Sequence, residues 1–147
     1  MAKGWIETIY GCMFSGKTTE LIRRVEGKNM LAFKPALDSR YSTSHIVSHN
    51  GNALEAVLID KPEAIFDHLD KKTAYIAIDE VQFFDHAIVE VCRKLADQGH
   101  RIICAGLDLD FRGEPFGPMP DLIAVSHSTI RLYAKCACCG KPATRTQ

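Results

Sequence analysis

Two kinds of hydrophobic pattern alternate along this chain. Strand-like apolar runs occur at 5–10, 30–33, 74–78, 101–105 and 129–134. Runs as apolar as 30–33, 74–78 and 101–105 suit buried strands, as in a parallel sheet. Between them the apolar positions fall three and four apart. Leu21, Ile22 and Val25 form a stripe opposite Glu20, Arg23 and Arg24, which predicts a helix over 19–28 with Gly27 and Asn29 as stop signals. Ile88, Val91, Cys92 and Leu95, interleaved with Glu90, Arg93, Lys94 and Asp97, predict a surface helix closed by Gly99. Pro62 ahead of Ile65, Phe66 and Leu69 marks a short amphipathic helix, and 120–125 reads as another. Short strands at 46–48 and 54–59 flank a turn at His49-Asn50-Gly51-Asn52. Strands alternating with helices predict an α/β fold: a mainly parallel sheet with flanking helices, its first crossover right-handed.

The bulk properties narrow the function classes. The chain has 147 residues, enough for one domain with a small appendage. Its 18 basic and 18 acidic residues give no net charge. A protein that grips DNA or RNA through a basic surface would carry an excess of Lys and Arg, so nucleic acid is not an expected partner. No apolar run approaches a membrane span, and the first residues lack a signal-peptide core, so no membrane is expected and the cytoplasm is the default location. In a reducing compartment the lone Cys12, Cys92 and Cys104 read as small apolar filler.

Chemistry enters at Gly11-Cys12-Met13-Phe14-Ser15-Gly16-Lys17-Thr18, which spells G-x-x-x-x-G-K-[ST] between a predicted strand and a predicted helix. Gly11 and Gly16 permit backbone turns in which successive N–H groups face phosphate oxygens, and the helix N-terminus adds a field that favours anions. Lys17 is placed to reach the outer phosphates and Thr18 to hold magnesium. Asp79 and Glu80 end the apolar run Ile76-Ala77-Ile78. An acid at the end of a buried strand suits the same magnesium ion, and Glu80 falls at the mouth where a substrate would lie. Asp38 and Arg40, in a long polar loop, are either phosphate contacts or solvated side chains. Phe111 and Phe116, in the glycine- and proline-rich segment 106–118, either line a pocket for a flat ring or pack beneath their loop. Near the end, Cys136 and Cys139 stand in a C-x-x-C spacing followed by Gly140, half of a structural zinc site, with Cys138 between them. A redox C-x-x-C is the rival, but Gly140 and Pro142 point to a turn, not a helix start.

Taken together, the phosphate loop with Thr19-Glu20-Leu21, Asp79-Glu80-Val81-Gln82-Phe83-Phe84, Gly106-Leu107-Asp108-Leu109-Asp110-Phe111-Arg112 and Cys136-x-x-Cys139 closely resemble the cellular-type thymidine kinases. The resemblance runs in order through nearly the whole chain. It implies a RecA-like phosphate-loop core over 1–134 and the start of a zinc-binding lasso domain over 135–147. It also implies transfer of the ATP γ-phosphoryl group to the 5′-hydroxyl of thymidine, with Mg²⁺, in a cytoplasmic homotetramer inhibited by the thymidine triphosphate. In that family's terms Glu80 is the general base and Arg40 neutralises charge on the transferring group. Residues 11–18, Asp79 and Gln82 fall at ATP-binding positions, and Thr18 and Asp79 at magnesium positions. Met13, Phe83, Leu107, Phe111 and Phe116 match positions around the thymine ring. Members of the family continue beyond the segment that ends at Gln147 into a loop gripping the base and a second pair of zinc ligands, so this chain is expected to represent the kinase incompletely. The alternative function is a truncated, non-catalytic nucleotide-binding module of the same family. A RecA-like ATPase acting on nucleic acid shares the phosphate loop but is disfavoured by the neutral charge.

Overall fold

The computed structural model describes residues 4–12, 15–36, 45–47, 53–110, 112–135 and 142–143. Its strands are β1 (Trp5–Gly11), β2 (Met30–Pro35), β3 (His45–Val47), β4 (Ala53–Glu55), β5 (Val57–Ile59), β6 (Tyr75–Ile78), β7 (Arg101–Gly106), β8 (Ser128–Leu132), β9 (Ala134–Lys135) and β10 (Pro142–Ala143). Six of them form one sheet in the order β5-β2-β6-β7-β1-β8, and every neighbouring pair is parallel. Only β7 lies between β1, which leads into the phosphate loop, and β6, which ends at Asp79. Because all six strands run the same way, the residues that follow β1, β6, β7 and β8 emerge along one edge of the sheet. This is the α/β fold with a mainly parallel sheet that the hydrophobic pattern predicts, and it carries the phosphate loop that the motif at 11–18 predicts.

The alternation along each strand sorts side chains to two faces by size. Ile6, Phe33, Ile76, Ile78, Ile102 and Cys104 point to one core, packed under helix α2 (Ala87–Asp97), helix α3 (Met119–Val125) and the 3-10 helix Pro62–His68. Ala32, Ala77, Ala105, Ile9 and Ile103 point to the other, under helix α1 (Lys17–Val25). The small side chains on that face let α1 lie close to the sheet, and its buried Leu21, Ile22 and Val25 fill the gap. Cys92 and Cys104 are fully buried in the first core with Sγ atoms 3.9 Å apart, and Cys12 is also buried, in agreement with their reading as apolar filler.

Several boundaries differ from the sequence expectations. Helix α1 starts at Lys17, not 19, because Gly16 takes the N-cap place. It stops at Val25, short of 28, where Glu26 leaves the helical region and Gly27 follows with φ 77°. The expected strand 54–59 is two strands. β4 pairs antiparallel with β3, whereas β5 joins the main sheet beside β2, so the chain changes sheets at Ala56. The turn at 49–52 lies outside the described residues. The segment after Pro62 forms a 3-10 helix with Pro62 and Ile65 buried. The last expected strand, 129–134, ends at Leu132, and Ala134–Lys135 pairs instead with Pro142–Ala143 in a separate hairpin. Among the described residues no helix is long and apolar enough to cross a membrane.

Candidate active site

The site is built from the carboxyl ends of β1, β6 and β7. At the end of β1, Gly11 has φ 149°, and a Cβ there would stand 2.2 Å from the Leu132 carbonyl oxygen of β8. Gly16 has φ 89° with open space around it, so conformation alone demands glycine there. We expect Gly11→Ala to destabilise the protein by about 3 kcal/mol or more, since the loop and β8 would have to separate. Urea denaturation measures this, and unchanged stability would mean that β8 is not held against the loop.

Within the loop, Ser15 Oγ donates to the Cys12 carbonyl at 2.7 Å, and Lys17 Nζ donates to the same oxygen at 2.5 Å and to Ser15 Oγ at 3.3 Å. Burial lowers the Lys17 pKa. Cys12 and the carboxylates of Asp79, Asp108 and Glu80 act in the opposite direction, favouring the ammonium. A partly buried cation at a helix N-terminus is a favourable locus for an anion. Glu20 in the first turn and Arg23 and Arg24 in the last complement the dipole of α1, and Arg24 ties the helix to Glu7 of β1 at 2.6 Å.

Asp79 follows β6 and is almost completely buried. Its Oδ2 lies 3.5 Å from Thr18 Oγ1, and its Oδ1 accepts from the Glu80 N–H at 2.9 Å. Burial first, and then the like charge of Glu80, push its pKa up to about 6. Glu80 is the non-glycine residue with positive φ among those described, at φ 51°, ψ 42°. That conformation costs an L-residue about 1 kcal/mol or more. The 3-10 turn Val81–Phe83, with Phe83 N donating to Glu80 O at 3.1 Å, holds it in place. The Asp79 side chain faces the phosphate loop through Thr18.

The donor set suits a hard cation. A hydroxyl and a carboxylate converge from two elements, and Mg²⁺ typically takes one or two protein oxygens and fills its remaining positions with phosphate and water. Among the described residues no group of three or more His, Cys, Asp or Glu side chains could hold a metal. Cys136 and Cys139, the expected zinc half-site, lie outside the described residues, as do Met13, Phe14, Arg40 and Phe111.

Of the expected ring-binding residues, Phe83 is 43% exposed and meets Phe116 edge-on, with centroids 5.3 Å apart. Gln82, expected at the nucleotide, is buried, and its Oε1 accepts from the Leu107 N–H at 3.1 Å. It therefore ties the loop after β6 to the loop after β7. Gly106 and Gly117 pass so close to Gln82 that a Cβ would come within 2.7 and 2.6 Å of its Oε1 and its carbonyl oxygen. Sequence reasoning passed over a further pair, Asp108 and Arg131, which meet at 2.7 Å. The available signal was an arginine between Ile130 and Leu132 in an expected strand, where a charge among apolar neighbours needs a partner.

Among solved structures, the X-ray structure of the Legionella pneumophila ATPase DotB is similar, with 16% identity and a TM-score of 0.48 over 84% of this chain and 35% of that one. The family model described as thymidine kinase matches residues 4–147, and the chain belongs to the thymidine kinase family.

Proposed function

We propose that this chain carries the catalytic core of a thymidine kinase, transferring the γ-phosphoryl group of ATP to the 5′-hydroxyl of thymidine. The observation that carries the reading is the meeting of Thr18 Oγ1 and Asp79 Oδ2 beside Lys17, with Glu80 next in the chain, in a protein of this family. In this reading the N–H groups of the phosphate loop and Lys17 bind and orient the β- and γ-phosphates. Thr18 and Asp79 hold Mg²⁺, which when bound neutralises charge on the phosphate oxygens. Glu80 accepts the proton of the acceptor hydroxyl as the new phosphate ester bond forms. Phe83, Leu107 and Phe116 flank the base, a role that the family resemblance also implies for Met13 and Phe111, and by the same resemblance Arg40 neutralises charge on the transferring group. Gln82 serves the nucleotide site, as the family resemblance implies, and its side chain also holds Leu107 of the acceptor wall. Residues 135–147 begin a second, zinc-binding unit, with Cys136 and Cys139 as ligands, in a cytoplasmic homotetramer.

The test is transfer of labelled γ-phosphate from ATP to a panel of nucleosides with this 147-residue chain and Mg²⁺. Transfer to thymidine above the others is the expected result. ATP binding with no transfer to any nucleoside would overturn it in favour of a non-catalytic nucleotide-binding module.

A further inference from the structure

The segment between β7 and α3 is a narrow-based excursion. Leu109 and Pro115 form an antiparallel bridge, Phe116 N donates to Asp108 O at 3.0 Å, and Asp110 N donates to Glu114 O at 2.8 Å. The Asp110 carboxylate fastens the tip by accepting from the N–H groups of Arg112 and Glu114. The base, by contrast, is fastened from outside at two points. Gln82 holds Leu107, and Arg131 Nη2 holds Asp108 Oδ2 at 2.7 Å.

Arg131 sits on β8 in register with Tyr10, the residue before Gly11, and its guanidinium lies over the Tyr10 ring at 5.5 Å. The next residue, Leu132, sets its carbonyl against Gly11. One ion pair thus joins the loop bearing Leu107 and Phe116 to the strand that abuts the phosphate loop. The contact is not a bidentate fork: Asp108 Oδ1 and Arg131 Nε are both buried without a hydrogen-bond partner among the described residues. Such a pair is a poor source of stability, because its desolvation is only partly offset, and apolar residues of similar volume would often serve as well. What it does supply is a fixed distance between two loops.

We propose that Asp108 and Arg131 are positioning residues that set the Leu107–Phe116 wall of the acceptor pocket relative to the phosphate loop. This rests on the kinase reading above, in which that wall faces the base. Neither side chain touches the reacting atoms. The pair acts by placing the nucleoside, so its loss falls mainly on acceptor binding, with a smaller effect on ATP through the charge that Asp108 adds near Lys17.

The double variant Asp108→Asn/Arg131→Gln is the informative one, because it removes both charges together and leaves neither buried ion unpaired. Steady-state kinetics of the full chain are expected to show KM for thymidine raised about tenfold, with KM for ATP within about threefold and the melting temperature close to wild type. Arg131→Lys, which keeps the charge, should recover most of the thymidine affinity. A double variant with wild-type KM for thymidine would overturn the proposal. So would equal losses for ATP and thymidine, which would mark a general structural role. Amide hydrogen exchange gives a readout independent of turnover: Phe116 N–H should exchange about tenfold faster in the double variant while Ile102 to Cys104 are unchanged. If wild type phosphorylates no nucleoside, the kinase reading fails by itself, and unchanged exchange at Phe116 would still sink the pair's role in holding the loop.

Discussion

Replacing Glu80 with glutamine is expected to lower the turnover of thymidine phosphorylation by about 10²- to 10⁴-fold while ATP still binds, the range typical of a lost general base. The variant is informative because glutamine keeps the length and shape of the side chain and removes only its ability to take a proton. Glu80 carries an unusual backbone, in the left-handed region directly after a buried strand, and the neighbouring 3-10 turn maintains it. Strain of this kind persists where the surrounding structure over-determines it, and a functional site is where such a cost is tolerated. The substitution also withdraws a negative charge from beside Asp79, so part of the upward push on that carboxyl's pKa should relax. Single-turnover transfer of labelled γ-phosphate, alongside ATP affinity from a fluorescent analogue, separates chemistry from binding. Wild-type turnover in this variant would remove Glu80 from the role of base.

Much of the fold was legible because its information is local. The apolar runs, the helical stripes and the glycine spacing of the phosphate loop each specify an element without reference to distant residues, and a parallel α/β sheet follows once they alternate. The polar end of the site was legible for the same reason: Lys17, Thr18, Asp79 and Glu80 sit at fixed offsets from strand ends. The change of sheets at Ala56 was not legible, because 54–59 has one unbroken strand character and only tertiary pairing divides it. The hydrogen bond from the Leu107 N–H to Gln82 Oε1 was not legible either, because it joins two loops 25 positions apart in the chain. The Asp108–Arg131 pair spans 23 positions and joins two elements brought together only by the strand order, so the local pattern shows that Arg131 needs a partner but not which one.

The metal-free protein is expected to lose stability as pH rises from about 4 to about 6, and Asp79→Asn should abolish that loss. The folded-state pKa of Asp79 is raised from 3.8 to about 6, with burial the largest cause and Glu80 the next. Between those values the folded protein retains a proton that the unfolded chain has released, so raising the pH favours the unfolded state until both forms are ionised. A gap of this size corresponds to about 3 kcal/mol as an upper figure. In EDTA at pH 8 the asparagine variant should therefore be more stable than wild type by about 1 to 3 kcal/mol, and the difference should shrink toward zero near pH 4. Glu20, whose pKa is lowered by its hydrogen bonds and ion pairs with Arg23 and Arg24, contributes with the opposite sign, as stability lost at the acid end, and it cancels when the two proteins are compared at each pH. Activity should move the other way. Without the carboxylate opposite Thr18, Mg²⁺-dependent transfer is expected to fall by about 10²-fold or more, since a neutral amide is a poor ligand for a hard cation. Urea denaturation of both proteins across pH 4 to 8 in EDTA, together with phosphate transfer in Mg²⁺, reads both effects. A variant less stable than wild type at pH 8 would mean that the Asp79 carboxylate is a net stabilising partner of its neighbours. A more stable but inactive variant would identify Asp79 as a charge held buried at a cost to folding because phosphoryl transfer requires it there.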